Sequence, residues 1–167
     1  MIAKNSEGSS GESNSPDIRL AREAAIAYIG IAAKSSGRVR DHLLQKGYGE
    51  SIADFVVSSL VEDQYISDHK VMDRIVRSRR GRLAESRDRL ISRCMAAGVD
   101  ERVLRDMDLM TDEALMEELF CAMYPEGIRE APSWDERKFQ RLMLSRGFSP
   151  ERVEEWINHI RMDSQEM

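Results

Sequence analysis

The segment that best indicates the fold is FQRLMLSRGF at residues 139–148, which ends with a glycine followed by an apolar residue. Two further stretches share its pattern, VRDHLLQKGY at 39–48 and LISRCMAAGV at 90–99. Apolar residues stand eight, four and three positions before each glycine and one position after it. This spacing predicts a helix with one apolar stripe. The glycine can adopt the left-handed conformation that ends a helix, and the next apolar residue folds back onto that helix.

The three glycines Gly47, Gly98 and Gly147 predict three copies of one helical unit. Apolar residues nine positions after each glycine predict a second helix, and these residues are Val56, Met107 and Trp156. A third amphipathic helix is predicted before each pair, at about 18–33, 68–79 and 112–123. The side chains expected to face inward from these first helices are Ala25, Ile26, Ile29, Ala33, Val71, Ile75, Val76, Leu115, Leu119, Phe120 and Met123.

The predicted architecture is all-α, with three tandem three-helix repeats at 15–66, 67–110 and 111–167 after a disordered tail at 1–14. A unit of about 50 residues has little core of its own, so the repeats are expected to share apolar faces in an elongated, curved array. Helix-start signals fit these limits. They are Ser15 with Pro16, Ser67, Thr111, Ser149 with Pro150, and a capping box of Ser133 with Glu136.

Composition favours a helical protein of the cytoplasm. The longest apolar run, 24–33, is half as long as the roughly 20 residues that a bilayer span needs. The first residues are rich in serine and glycine, where a secretory signal would be apolar. Cys94 and Cys121 lie at helical spacing among apolar residues, which predicts two reduced thiols in the core.

Charge is distributed unevenly along the chain. The net charge is −5, yet 70–93 carries nine basic and three acidic side chains, whereas 106–126 carries seven acidic and no basic ones. Such asymmetry concerns partners rather than fold. The candidate contact residues are Arg77, Arg79, Arg80, Arg82, Arg87, Arg89 and Arg93. Arginine donates paired hydrogen bonds to phosphates and carboxylates; the alternative role for these cations is to stabilise helix C-termini.

No motif predicts catalysis. His42, His69 and His159 have no partner at metal-ligand spacing, and neither a phosphate-binding loop nor a nucleophile motif occurs. The sequence therefore predicts no catalytic residue, no cofactor and no metal. No aromatic residue lies among the arginines of 77–93, so base stacking is not indicated. Trp134 and Trp156 are expected to pack rather than to bind bases.

Two segments resemble the RecX family. The first is YISD at 65–68 with IVRSRRG at 75–81 and the helix that closes on Gly98. The second is WDERKFQRLMLSRGF at 134–148 with Val153, Trp156 and Ile157. The resemblance extends over about 19–161. Family members commonly have a glycine before the first turn and a phenylalanine shortly after it, where this chain has Gln64 and Val71.

The resemblance implies a non-catalytic regulator of the RecA recombinase. Such a protein lies along the RecA filament on single-stranded DNA, lowers ATP hydrolysis and strand exchange, and so modulates recombinational DNA repair and the SOS response. The expected partners are RecA and the DNA within the filament, with weak binding to free DNA, no membrane, and a monomeric chain. The alternative is a stand-alone DNA-binding regulator that uses a helix-turn-helix in the second repeat.

Overall fold

The computed structural model describes residues 15–125 and 135–166, with side chains to residue 162. In these ranges the chain forms nine α-helices, one 3-10 turn and no strand, which confirms the all-α prediction. The helices are α1 Pro16–Ile29, α2 Ser36–Gln45, α3 Glu50–Glu62, α4 Asp68–Arg77, α5 Arg87–Ala96, α6 Glu101–Arg105, α7 Asp112–Met123, α8 Glu136–Ser145 and α9 Pro150–Glu166, and the 3-10 turn is Gly81–Leu83.

The chain divides into two compact units, Met1–Asp68 and His69–Met167. The first unit contains α1 to α3 and the first residue of α4, and the second contains the remaining helices. The boundary predicted at residues 66 and 67 falls close to this division, and the one predicted at 110 and 111 falls inside the second unit. The limits of the three repeats stay predictions, and the predicted tail at 1–14 lies outside the described residues.

Each of the three glycines ends a helix, as the sequence predicts. Gly47, Gly98 and Gly147 have φ angles of 90°, 77° and 91°. The amide of the following residue donates to a carbonyl five positions back in every case: Tyr48 to Leu43 at 3.2 Å, Val99 to Cys94 at 3.1 Å and Phe148 to Met143 at 3.3 Å. This pattern satisfies carbonyls that a helix end otherwise leaves without partners.

The apolar stripe before each glycine is narrower than predicted. The side chains eight and four positions before the glycine are buried in all three copies: Val39, Leu43, Leu90, Cys94, Phe139 and Met143. The prediction for the position three before is wrong, since Leu44 is half-buried and Met95 and Leu144 are exposed. A short helix packed on few neighbours buries a single i, i+4 row, and the adjacent row lies at its edge.

The first unit has a continuous apolar core in which α1, α2 and α3 all pack on one another. Ala21, Ala25 and Ile29 of α1 enter this core. The inward placement of Ile26 is wrong, because its side chain is exposed. The helix also ends four residues earlier than Ala33, since Gly30 at φ 53° interrupts it.

Aromatic rings fill the centre of the second unit. Phe120 lies edge-on to Phe139 at 5.7 Å and to Trp156 at 5.4 Å between ring centroids. Trp156 is therefore a packing residue, whereas Trp134 lies outside the described residues. Cys94 is buried in the core, but the same prediction for Cys121 is wrong because that thiol is exposed on α7.

The other side chains that were predicted to face inward in the second unit differ in how far they are buried. Val71, Leu115, Leu119 and Phe120 are buried, whereas Ile75, Val76 and Met123 are half-buried.

Helix starts follow the predicted caps in three cases. Ser15, Thr111 and Ser149 accept from the backbone amides of Ile18, Ala114 and Arg152. The α8 prediction is wrong: the N-cap is Asp135, which accepts from Lys138, and Ser133 lies outside the described residues.

Two helix starts receive an additional cap from a residue distant in sequence. The carboxylate of Asp68, at the start of α4, accepts from the backbone amide of Ser36 at 2.7 Å and from its hydroxyl at 2.6 Å. The carboxylate of Asp112, at the start of α7, accepts from the backbone amide of Arg87 at 2.8 Å. In both cases the carboxylate of the first residue of one helix accepts a hydrogen bond from the backbone amide of the first residue of an earlier helix, which has no acceptor within its own helix.

Candidate functional site

The seven candidate arginines lie on the end of α4, on the turn that follows it and on α5. Arg77 is exposed, and its Nε donates to the carbonyl of Asp73 one turn back at 3.2 Å. Arg79 is half-buried in the turn. Arg87 is exposed at the first position of α5. The side chains of these three residues therefore lie at the surface or at its edge.

Arg80 is paired with a carboxylate within its own unit. Its Nε lies 2.9 Å and 2.7 Å from the two oxygens of Glu118 on α7, and the backbone amide of Gly81 donates to the same carboxylate. The hydrogen bond from Arg80 is the main cause that lowers the pKa of Glu118 below its usual range. This bond fixes the 3-10 turn against α7.

Arg93 is paired with a buried carboxylate. Its Nη2 donates to Oε1 of Glu85 at 2.7 Å, and its Nε donates to Oε2 of the same group. The hydrogen bond from Arg93 is the main cause that lowers the pKa of Glu85, although burial opposes it. Glu85 is 3% exposed, so its buried negative charge would destabilise the fold without the guanidinium group of Arg93.

Arg82 and Arg89 bind carbonyls at helix ends. Arg82 donates from Nε to the carbonyl of Ala122 in the last turn of α7 at 2.9 Å. Arg89 donates from Nη1 to the carbonyl of Ser145, the last residue of α8. The last carbonyls of a helix have no partner within it and carry partial negative charge, so guanidinium groups stabilise them.

Four of the seven arginines thus hold the second unit together. Arg82 and Arg89 do so at helix ends, which is the alternative role that the sequence left open, and Arg80 and Arg93 do so through carboxylates. Arg80 and Arg93 keep about two fifths of their side-chain surface exposed, so this role leaves room for contact with a partner. Their contact with RecA or DNA stays a prediction. The three that remain, Arg77, Arg79 and Arg87, are the better candidates for a contact role alone.

Sequence reasoning left two basic residues of α4 out of the candidate site. Lys70 and Arg74 are exposed and stand seven and three positions before Arg77. Residues at i, i+4 and i+7 share one helix face, so the three cations form a row that we call the α4 basic stripe: Lys70, Arg74 and Arg77. Helical spacing could have identified Lys70 and Arg74, because it places them on one face with Arg77. The apolar residues Val71 and Met72 of the same helix are buried.

Comparison with known proteins finds one family model and one solved structure that are similar to this chain. Residues 21–60 match the family model described as RecX, first three-helix domain. The fold matches the crystal structure of RecX from Lactobacillus salivarius with a TM-score of 0.64 at 17% sequence identity, over 87% of this chain and 97% of that chain. No curated protein sequence matches the chain.

The chain is thus similar to RecX proteins in the domain at 21–60 and in its fold. The resemblance drawn from its sequence is therefore confirmed, and the matched segment falls within α1 to α3.

The departure from the RecX pattern at Gln64 has a structural consequence. Gln64 has a φ angle of 62°, and the amide of Tyr65 donates to the carbonyl of Leu60 at 2.9 Å. The turn is thus the same as at the three glycines, formed here by a residue with a side chain. The second departure is accommodated, since Val71 is 3% exposed and fills a core position.

Among the side chains of residues 15–125 and 135–162, no three from His, Cys, Asp or Glu lie close enough together to hold a metal ion. Over the same residues no helix has the length and apolar character needed to cross a membrane.

Proposed function

We propose that this protein is a RecX-like negative regulator of RecA without catalytic activity of its own. It binds the RecA filament on single-stranded DNA and lowers ATP hydrolysis and strand exchange, thereby modulating recombinational DNA repair and the SOS response. The observation that carries the proposal is the RecX first three-helix domain at 21–60, supported by the RecX fold over 87% of the chain.

Electrostatics adds physical support to this proposal. The filament offers phosphates and protein surface side by side, and the basic segment 70–93 provides guanidinium groups that suit both phosphates and carboxylates. Several of these groups are held in place by the bonds to Glu118, Glu85 and two helix ends. Side chains fixed before binding lose less conformational entropy when they bind.

The direct test follows ATP turnover by RecA on single-stranded DNA while the purified protein is added to preformed filaments. We expect turnover to fall with protein concentration and filaments to shorten. Preformed filaments, with no excess of bare DNA, separate an effect on the filament from competition for free DNA. Unchanged turnover and unchanged filament length with folded protein would contradict the proposal. Sequence-selective binding to duplex DNA in the absence of RecA, with no effect on turnover, would favour the stand-alone DNA-binding regulator instead.

The structure also determines how the basic segment should be altered in this assay. Replacing Arg77, Arg79 and Arg80 together by glutamate would test the predicted contact residues. It would also place a carboxylate at position 80 opposite Glu118 and so damage the turn. The double variant Arg77→Glu, Arg79→Glu avoids that clash, and we expect it to inhibit RecA less than the unaltered protein at equal helicity.

A further inference from the structure

The outer face of α8 presents only positive charge to solvent. Between residues 136 and 143 every exposed side chain is a cation, and all the others are buried or half-buried. Spacings of three and four residues place these cations on one side of the helix, and Phe139 and Met143 on the opposite side are buried. We call the exposed cations the α8 basic face: Arg137, Lys138 and Arg141.

The acidic side chain in the first turn of α8 does not neutralise this face. That residue is Glu136, and Nε of Arg161 on α9 donates to its Oε2 at 2.9 Å. Among the side chains of 15–125 and 135–162, no carboxylate forms an ion pair with a member of the α8 basic face. The positive charge of the face is therefore left for solvent or for a partner.

Helix stability does not account for the charge of the α8 basic face either. Arg137 and Lys138 lie in the first turn of α8, where the helix dipole favours negative charge. By contrast, Arg82 and Arg89 bind carbonyls at helix C-termini, where positive charge is favourable. The two first-turn cations thus act against the dipole of their own helix.

Arg89 of α5 extends the positive surface past the end of α8. Its Nη1 donates to the carbonyl of Ser145, which follows Arg141 by four residues on the same side of the helix. A guanidinium group has five N–H donors, so the exposed Arg89 retains donors for a second acceptor. From residue 137 to residue 145 the surface is about 12 Å long, at about 1.5 Å per residue. This length suits a polyanion that runs along the helix.

We propose that the α8 basic face, together with Arg89, contacts the phosphate backbone of DNA. The inference rests on the proposed function in so far as that DNA lies within the RecA filament. Arginine donates paired hydrogen bonds to phosphate, and lysine contributes a compact point charge. Phosphate is favoured over an acidic protein surface because the centre of a protein interface is rich in apolar and aromatic side chains, and this face exposes only cations.

The experiment measures binding of the full chain to a fluorescein-labelled oligothymidine, by fluorescence anisotropy, as a function of salt concentration. The face variant is Arg137→Ala, Arg141→Ala. The matched control is Arg102→Ala, Arg105→Ala, which removes two exposed arginines from α6 in the same unit. These two arginines form ion pairs at the surface, so their loss should change stability little.

We expect the face variant to bind about tenfold more weakly than the unaltered protein at moderate salt. Its salt slope should become less negative by about 1.4, at about 0.7 per phosphate contact on a single strand. The control variant should keep the slope of the unaltered protein, and so should the charge-preserving variant Arg137→Lys, Arg141→Lys. Equal slopes for the face variant and the unaltered protein, or no binding by the unaltered protein, would overturn the inference.

Thermal unfolding followed by circular dichroism separates contact with DNA from a role in the fold. The face variant should unfold at the same temperature as the unaltered protein or at a higher one, because it removes a cation from the first turn of α8. A lower unfolding midpoint together with weaker binding would assign the two arginines to the stability of the fold instead of to DNA.

Parallel measurement of RecA-dependent ATP turnover distinguishes this inference from the proposed function. If the unaltered protein binds DNA through the α8 basic face but leaves ATP turnover unchanged, the assignment of the face stands and the proposed function fails. If the face variant loses inhibition while its DNA-binding slope is unchanged, the face contacts RecA itself and the phosphate assignment is wrong.

Discussion

The two units of the chain contain similar helix-glycine turns but are stabilised by different interactions. In the first unit, α1, α2 and α3 pack around an apolar cluster, and the ion pair between Arg22 and Asp63 lies at the surface. In the second unit, arginines bind carboxylates and helix ends that are far away in sequence, as Arg80 binds Glu118. The basic segment is therefore partly structural. A run of positive charge is weak grounds for a binding site until the intrachain partners of each residue are known.

The largest expected effect compares one glycine in each unit. Gly147 and Gly47 share a φ near 90°, but a methyl group on Gly147 would lie 2.8 Å from Oγ of Ser86 and 3.1 Å from Cδ of Arg89, whereas nothing lies within 4 Å of one on Gly47. We expect Gly147→Ala to cost about 2–4 kcal/mol, from backbone strain and overpacking together, and Gly47→Ala about 1–2 kcal/mol from backbone strain alone.

Urea unfolding of both glycine variants measures this difference. Circular dichroism follows both units, and tryptophan fluorescence follows the second, which contains both tryptophans. Equal losses of stability in the two variants would mean that the contact between Gly147 and α5 is not maintained in solution.

The second comparison concerns ion pairs. Glu118→Ala removes the partner of both Arg80 and the Gly81 amide, and we expect a loss of about 1.5–3 kcal/mol. Asp63→Ala in the first unit removes a partner that is half exposed, and we expect a loss below about 1 kcal/mol. The midpoint of thermal unfolding, measured at low and at high salt, tests the difference. A larger loss from Asp63→Ala would reverse the contrast between the units.

Acid should weaken the second unit through Glu85. The pKa of this carboxylate is lowered in the folded protein by the hydrogen bond from Arg93. Its contribution is therefore complete above the unfolded pKa of about 4.3 and is lost as the pH falls from there through the lower folded value. We expect Glu85→Gln to cost about 1 kcal/mol at neutral pH and less at acidic pH.

Tryptophan fluorescence during urea unfolding at a series of pH values follows this effect. A constant difference between Glu85→Gln and the unaltered protein across the acidic range would show that the pair with Arg93 does not set the pH dependence.

The smallest effect is a gain of stability in the first unit. Gln64 is the one non-glycine residue with positive φ in the described ranges. We expect Gln64→Gly to stabilise the protein by up to about 1 kcal/mol, because the strain of the left-handed conformation exceeds the added entropy of the unfolded chain. Gln64→Ala keeps the strain and serves as the control. A loss of stability in the glycine variant would show that the Gln64 side chain makes a favourable contact that outweighs this strain.

The sequence predicts local features of this fold better than it predicts distant contacts. Helix ends at Gly47, Gly98 and Gly147 follow from residues within one turn, and so do the caps at Ser15 and Thr111. The exposure of Ile26 could not be predicted in the same way, because it depends on which face of α1 meets two other helices.

The same limit applies to the candidate site. The basic composition of 70–93 is evident from the sequence, but the roles of Arg80, Arg82 and Arg89 depend on partners 38 to 56 residues away. No local pattern encodes such pairs. Helical spacing alone could have identified Lys70 and Arg74 as neighbours of Arg77.

The carboxylate of Asp68 determines where the first unit can be cut. A fragment that stopped at residue 66 would follow the predicted repeat limit and still contain the whole matched RecX segment. It would nevertheless leave the amide and hydroxyl of Ser36 without their acceptor, at a cost of about 0.5–2 kcal/mol. Two more residues restore that acceptor. The natural end of this domain therefore lies inside the first turn of the helix that follows it.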